Sequence, residues 1–197
     1  MTGFWKRDAQ VAFMKSRLVR GTQCVLLGQP CVGKSALMNE VLRSISSIDT
    51  VKISIDCRAM DFSSSCRIEE GFKLRFQAAA KSMDTIVDKV GDKVKAMAPK
   101  VVDMLAETLL GVDTQLFASE LNKAAESPSV IAGLNSAITT IHGKGGKVVI
   151  FIDEINLLQS KGDPNQKWRD QFFAELMHLF ARITKQEKDG VCRRIDQ

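Results

Sequence analysis

Gly28-Gln29-Pro30-Cys31-Val32-Gly33-Lys34-Ser35 is the stretch on which the reading of this chain turns. It matches the pattern G-x-x-x-x-G-K-[ST] at every fixed position. The apolar run Cys24-Val25-Leu26-Leu27 leads in, and Ala36-Leu37-Met38-Asn39-Glu40-Val41-Leu42 leads out. This order predicts a buried strand, a tight loop and a helix. Gly28 and Gly33 allow backbone angles that a Cβ would forbid. The loop amides can then converge on phosphate oxygens at a helix N-terminus, where the partial positive charge favours an anion. Lys34 is expected to reach the β- and γ-phosphates, and the Ser35 hydroxyl to ligate Mg²⁺.

A second signal lies far along the chain. Lys147-Val148-Val149-Ile150-Phe151-Ile152 is β-branched and aromatic almost throughout, and Asp153-Glu154 ends it. The run predicts a strand buried on both faces, as in parallel sheets. A carboxylate at the C-terminal end of such a strand lies at the ligand-binding edge of an open α/β sheet. Asp153 is placed there to hold Mg²⁺ through water. Glu154 is placed to orient and deprotonate a water that attacks a γ-phosphate. Alone, the pair could merely end a strand; with the octet, the two halves make one site.

Composition narrows the alternatives. The 197 residues suit one domain with a sizeable core. A net charge of +5 is mild and dispersed, no run of five or six basic residues occurs, and tyrosine is absent. A base-stacking nucleic-acid surface therefore has no support. No run approaches the ~20 apolar residues of a membrane span. The five cysteines are odd in number and form no C-x-x-C pair, and only two histidines are present. That argues against a disulfide framework or a zinc site and for reduced thiols in the cytoplasm. Cys31 reads either as a small residue at a variable loop position or as an oxidation-sensitive thiol, since loop amides favour a thiolate. Residues 6–20 are basic and amphipathic, with Lys6, Arg7, Lys15, Arg17 and Arg20 against Asp8. This could serve as a presequence for the mitochondrial matrix. Because it runs almost directly into the 24–27 strand, it is read as a packed lead-in helix.

Between the two motifs, residues 50–57 alternate and predict a second strand. Ser65 is a candidate cap for a long helix. On that helix Phe72, Phe76, Ala79, Met83, Ile86, Val90, Val94 and Met97 form one apolar stripe. Pro99 should interrupt it or begin a new helix. Further helices are expected at about 100–110, 114–126 and 128–142, the last opened by Pro128. The tract 62–142 far exceeds one crossover helix and reads as a helical insertion, either plain core or a lid or partner-binding element. After Glu154 comes a polar loop over 159–165. A helix from about 167 to 185 follows, with Phe172, Leu176, Leu179 and Ile183 on one face, and 186–190 should end it.

The octet and the Asp-Glu strand resemble the Walker A and Walker B elements of the P-loop ATPases, with the added catalytic glutamate. Within that group the chain resembles the AAA-like and STAND-type ATPase domains. Those families often carry an Arg and an acidic residue just upstream of the first strand, here Arg7-Asp8, but usually with a glycine where this chain has Lys6. The resemblance implies a three-layer α/β/α P-loop NTPase fold with a mostly parallel sheet. It would form a single domain over 1–197, with 62–142 inserted between the second and third strands. It implies ATP and ADP as ligands, Mg²⁺ as cofactor, slow ATP hydrolysis, and coupling to a protein partner or to homo-oligomer assembly. Adenine is implied by the resemblance, since no guanine-reading Asn-Lys-x-Asp element occurs. The residues carried over are Glu154 and Lys34 for catalysis and Ser35 and Asp153 for the metal. Gly28, Gln29, Pro30, Cys31, Val32, Gly33, Lys34, Ser35 and Ala36 would cradle the phosphates. Arg7 would contribute near the base.

The C-terminus departs from that pattern. In these ATPases a further strand, ending in a γ-phosphate sensor, sits between the phosphate-loop strand and the Asp-Glu strand, and a lid follows. Only Val191-Cys192-Arg193-Arg194-Ile195 remains for that slot. Two adjacent arginines in a strand buried on both faces would bury an unpaired charge. The expectation is a natural domain that continues past Gln197. Arg169 and Arg182 are expected on solvated surface, so a transition-state arginine would come from a neighbour. A nucleotide-dependent switch with little turnover is the alternative reading. A small-molecule P-loop kinase ranks third, because a glutamate directly after the Mg²⁺ aspartate suits water activation. The serine-glycine-glycine signature of ABC-type ATPases is absent, and the chain has no room for a helicase's second motor domain.

Overall fold

The computed structural model describes residues 7–21, 24, 26–27, 29, 32–45, 49–95, 114–159 and 166–195; for 86–95, 159 and 183–195 it describes the backbone only. Among these residues it is mixed α/β, with six helices and one two-stranded parallel sheet. The chain divides into two compact units. One is Met1–Ile45 with Phe172–Gln197, and the other is Ser46–Gln171.

In the first unit, α1 (Asp8–Val19) packs on α2 (Lys34–Ser44). Leu37, Met38, Val41 and Leu42 are buried at helical spacing, and Met14 is the buried residue of α1. The expected strand over 24–27 is not formed by its described members. Cys24, Leu26 and Leu27 carry no strand pairing, and Leu27 is 89% exposed. An apolar run becomes a strand only when another strand takes its N–H and C=O groups, and this unit has none among its described residues.

The second unit is built on the sheet. β1 (Thr50–Asp56) alternates as its sequence predicts: Val51, Ile53 and Ile55 are buried, while Ser54 faces out. β2 (Lys147–Asp153) runs parallel to it, from Thr50↔Lys147 to Asp56↔Asp153. The register starts at Asp49, whose carbonyl accepts the Lys147 N–H at 2.7 Å and whose carboxylate pairs with the Lys147 ammonium at 3.1 Å. β2 is less buried than its composition predicts. Only Val149 is fully covered and the other apolar residues are half-buried, since β1 is its one strand neighbour among the described residues.

The parallel strands are joined through α3 (Ser65–Lys95), α4 (Thr114–Glu126) and α5 (Val130–Gly143). The predicted stripe of α3 is in the core as far as its side chains are described: Phe72, Phe76, Ala79 and Met83 are buried. Burying each phenylalanine contributes roughly 1.5–3 kcal/mol. Helix α3 packs on β1 and α4, and α5 packs on α4 and β2. The cap of α3 is Ser64, one residue before the expected Ser65. The Ser64 Oγ accepts from Arg67 N at 3.3 Å and its carbonyl from Ile68 N at 3.2 Å. Likewise α5 is capped by Ser129, whose hydroxyl accepts from Ala132 N, rather than opened by Pro128. The expected interruption at Pro99 and the helix over 100–110 lie outside the described residues.

Gly133 lets α5 approach α4. A Cβ there would stand 2.7 Å from the Ala124 carbonyl oxygen and 3.0 Å from its Cα. Backbone atoms cannot swing aside, so Gly133→Ala is expected to destabilise the protein by about 1–3 kcal/mol, read as a lower midpoint in thermal melting. An unchanged midpoint would mean that the helices can separate at no cost.

The last helix, α6 (Gln166–Ile195), begins in the second unit and continues through 172–195. Phe172, Leu176 and Leu179 are buried, as the predicted stripe requires. The expected stop at 186–190 is not observed: the helix passes through Gly190 and takes up 191–195, the segment considered for a strand. One glycine costs a helix only about 1 kcal/mol relative to alanine.

Candidate functional site

The two motifs fall in different units. In the first, Gly33 takes φ +83° and caps α2 from the left-handed region. A side chain there would be strained, and its Cβ would meet the Arg7 guanidinium at 3.5 Å. Glycine offers no side-chain cap, and the first turn of α2 holds no acidic residue. Its leading amides therefore favour an external anion. Lys34 and Ser35 open that turn. Lys34 Nζ donates to Gln29 O at 2.8 Å, folding the lysine back onto the loop. Ser35 and Ala36 are half-buried, and Val32 is 44% exposed. Gly28, Pro30 and Cys31 lie outside the described residues.

Arg7, expected near the base, is tied to the loop. It donates from Nη2 to Val32 O at 2.6 Å and from Nη1 to Gly33 O at 3.4 Å. Carbonyl and amide point oppositely across a planar peptide. Holding the Val32 carbonyl on Arg7 thus turns the Gly33 N–H away from that cation.

In the second unit, Asp56 and Asp153 end the two strands at the same register position. The sequence pattern singles out only Asp153. Asp56 ends an alternating strand just as Asp153 ends an apolar one, and that shared ending was the available signal. Arg58 sits on the short 3-10 turn Cys57–Ala59 and folds back between them. It donates to both oxygens of Asp56, at 3.0 and 2.9 Å, and from Nη2 to Asp153 at 3.2 Å. The hydrogen-bonded guanidinium holds the Asp56 carboxyl below its usual range. The neighbouring Cys57 thiol is pushed up to about 12, mainly by burial and then by the charges of Asp56, Asp153 and Glu154. It is an inert core thiol at neutral pH.

Glu154 follows with φ +53°, the left-handed region that non-glycine residues seldom occupy. Its N–H donates to Asp153 Oδ1 at 3.1 Å, and its carbonyl accepts from Leu157 N at 3.0 Å, starting the 3-10 turn Ile155–Gln159. Arg169 supports this turn. It is 3% exposed, which corrects the expectation of solvated surface, while Arg182 is exposed as expected. Arg169 stacks on the Phe62 ring at 4.8 Å, donates to Phe62 O at 2.8 Å and approaches Leu157 O at 3.5 Å. Its aromatic platform and two carbonyl acceptors explain how the charge is accommodated.

Among the described residues, no group of three or more His, Cys, Asp or Glu forms a ready metal cage. Mg²⁺ does not need one, because it binds through one or two protein oxygens with substrate phosphates and waters. The Ser35 hydroxyl in the first unit and the Asp153 carboxylate in the second are each a hard oxygen donor of the kind that Mg²⁺ accepts. No helix of the described residues is long and apolar enough to cross a membrane. Compared with known proteins, the chain matches no family model, no curated protein and no solved structure.

Proposed function

We propose that this chain is a P-loop ATPase core of the AAA/STAND type, which binds Mg-ATP and hydrolyses it slowly. The start of α2 carries this reading. A left-handed Gly33, a first turn without acidic residues, and Lys34 and Ser35 on that turn form a positive helix end without a side-chain cap. The parallel pair joined through helices, with Asp153 at its carboxyl end, supports the finer architecture of a three-layer P-loop NTPase domain with 62–142 inserted. Ligands of open α/β sheets bind outside the carboxyl ends of the strands.

In this reading Lys34 exchanges Gln29 O for the β- and γ-phosphate oxygens. Ser35 and Asp153 are the residues that would hold Mg²⁺, which when bound would supply charge neutralisation at the phosphates. Glu154 accepts the proton of the attacking water. A protein partner or a second copy of the chain supplies a transition-state arginine, worth about 10³–10⁵ in rate. A nucleotide-dependent switch with little turnover is the second reading. It is favoured by the contacts of Lys34 with Gln29 and of Asp153 with Arg58, which substrate must displace.

Calorimetric titration with a slowly hydrolysed Mg-ATP analogue tests the proposal. Micromolar binding is expected. No heat of binding from a chain with a folded circular-dichroism spectrum would sink it.

A further inference from the structure

Asp56 and Asp153 stand side by side at the edge of the sheet because neighbouring parallel strands end there in register. Two such carboxylates repel unless a cation lies between them. Arg58 is that cation, but its two grips are unequal. On Asp56 it makes three bonds, from its own N–H at 3.0 Å, from Nε at 3.0 Å and from Nη2 at 2.9 Å. On Asp153 it makes one, from the shared Nη2 at 3.2 Å. The weaker grip falls on the more buried acid: the Asp153 side chain is 14% exposed, against 40% for Asp56 and 57% for Arg58. The carboxylate with the greater need of a counter-charge thus has the more loosely held arginine. With three bonds to Asp56, Arg58 has contacts that remain when the single one to Asp153 breaks.

We propose that Arg58 is an exchangeable counter-cation of Asp153, tethered by Asp56: it neutralises Asp153 in the nucleotide-free chain and yields it to Mg²⁺. This rests on the reading of Asp153 as a Mg²⁺ ligand. Metal binding then competes with an internal cation, so bare metal binds weakly. The guanidinium also stays beside the site after the exchange, held on Asp56.

The test is titration of the full chain, without nucleotide, by Mn²⁺ as a paramagnetic probe for the Mg²⁺ site, with the free ion read by electron paramagnetic resonance. Arg58→Gln removes one positive charge beside the carboxylate and is expected to tighten Mn²⁺ binding about tenfold. Arg58→Lys keeps the charge but loses the fork that spans both aspartates, and a gain of about threefold is expected. Adding Asp153→Asn to Arg58→Gln should remove the gain. Equal affinity in wild type and both Arg58 variants, with native melting curves, would overturn the proposal. So would a gain that survives Asp153→Asn. If Arg58→Gln fails to fold, Arg58→Lys carries the test. A wild type that ignores the ATP analogue would sink the ATPase reading, while the metal titration still decides the role of Arg58.

Discussion

Lys34→Ala is expected to weaken binding of the Mg-ATP analogue at least about tenfold, because the phosphate loses a charge-assisted hydrogen bond. The melting temperature should stay unchanged or rise slightly. A cation in the first turn of a helix opposes the macrodipole, and alanine is the better helix former. In the nucleotide-free protein the ammonium donates to Gln29 O at a position exposed to water, so water can take its place there at little cost. Binding should therefore fall without a loss of stability, which separates a weakened phosphate site from a damaged fold. Affinity equal to wild type would refute the assignment of residues 28–36 to phosphate. A fall in both binding and stability would instead show that Lys34 holds the loop together.

The parts that were legible in the sequence share one property: each is decided by neighbours in the chain. The alternation of 50–56 and the stripe of Phe72, Phe76, Ala79 and Met83 follow from periodicity. The glycine requirement at Gly33 belongs here too, because left-handed backbone is a local demand. What was not legible depends on pairing across the chain. Arg58 and Asp153 are separated by 95 positions, and only the register of β1 on β2 brings them together. The burial of Arg169 depends on Phe62, 107 positions away. On a helical wheel it is a charge at the start of an amphipathic helix, which reads as surface. The 24–27 run shows the converse, since its residues favour a strand but cannot supply the strand that would pair with it. The passage of α6 through Gly190 is a matter of magnitude. Residue type alone marks a stop, but one glycine is too weak to impose it.

Glu154→Gln should keep nucleotide affinity and lower any ATP turnover about 10²–10⁴-fold, the usual contribution of a positioned general base. Glutamine keeps the shape of the side chain and its hydrogen-bonding reach but cannot take up a proton. Single-turnover measurement of phosphate release reads this directly, and equal turnover would remove Glu154 as the base. The backbone gives a second, independent reading of the same position. A glutamate at φ +53° costs on the order of 1–3 kcal/mol, so Glu154→Gly should raise the melting temperature by relieving that strain. Two supports hold the strained turn in place: the Asp153 carboxylate on the Glu154 N–H, and the Leu157 amide on the Glu154 carbonyl. Arg169 lies behind that turn. A chain selected for stability alone would place glycine here. If glycine both stabilises the fold and ends turnover, the carboxylate is needed at a position where its backbone is strained. If it stabilises and turnover persists, the strain belongs to the 3-10 turn, and the catalytic base must lie elsewhere.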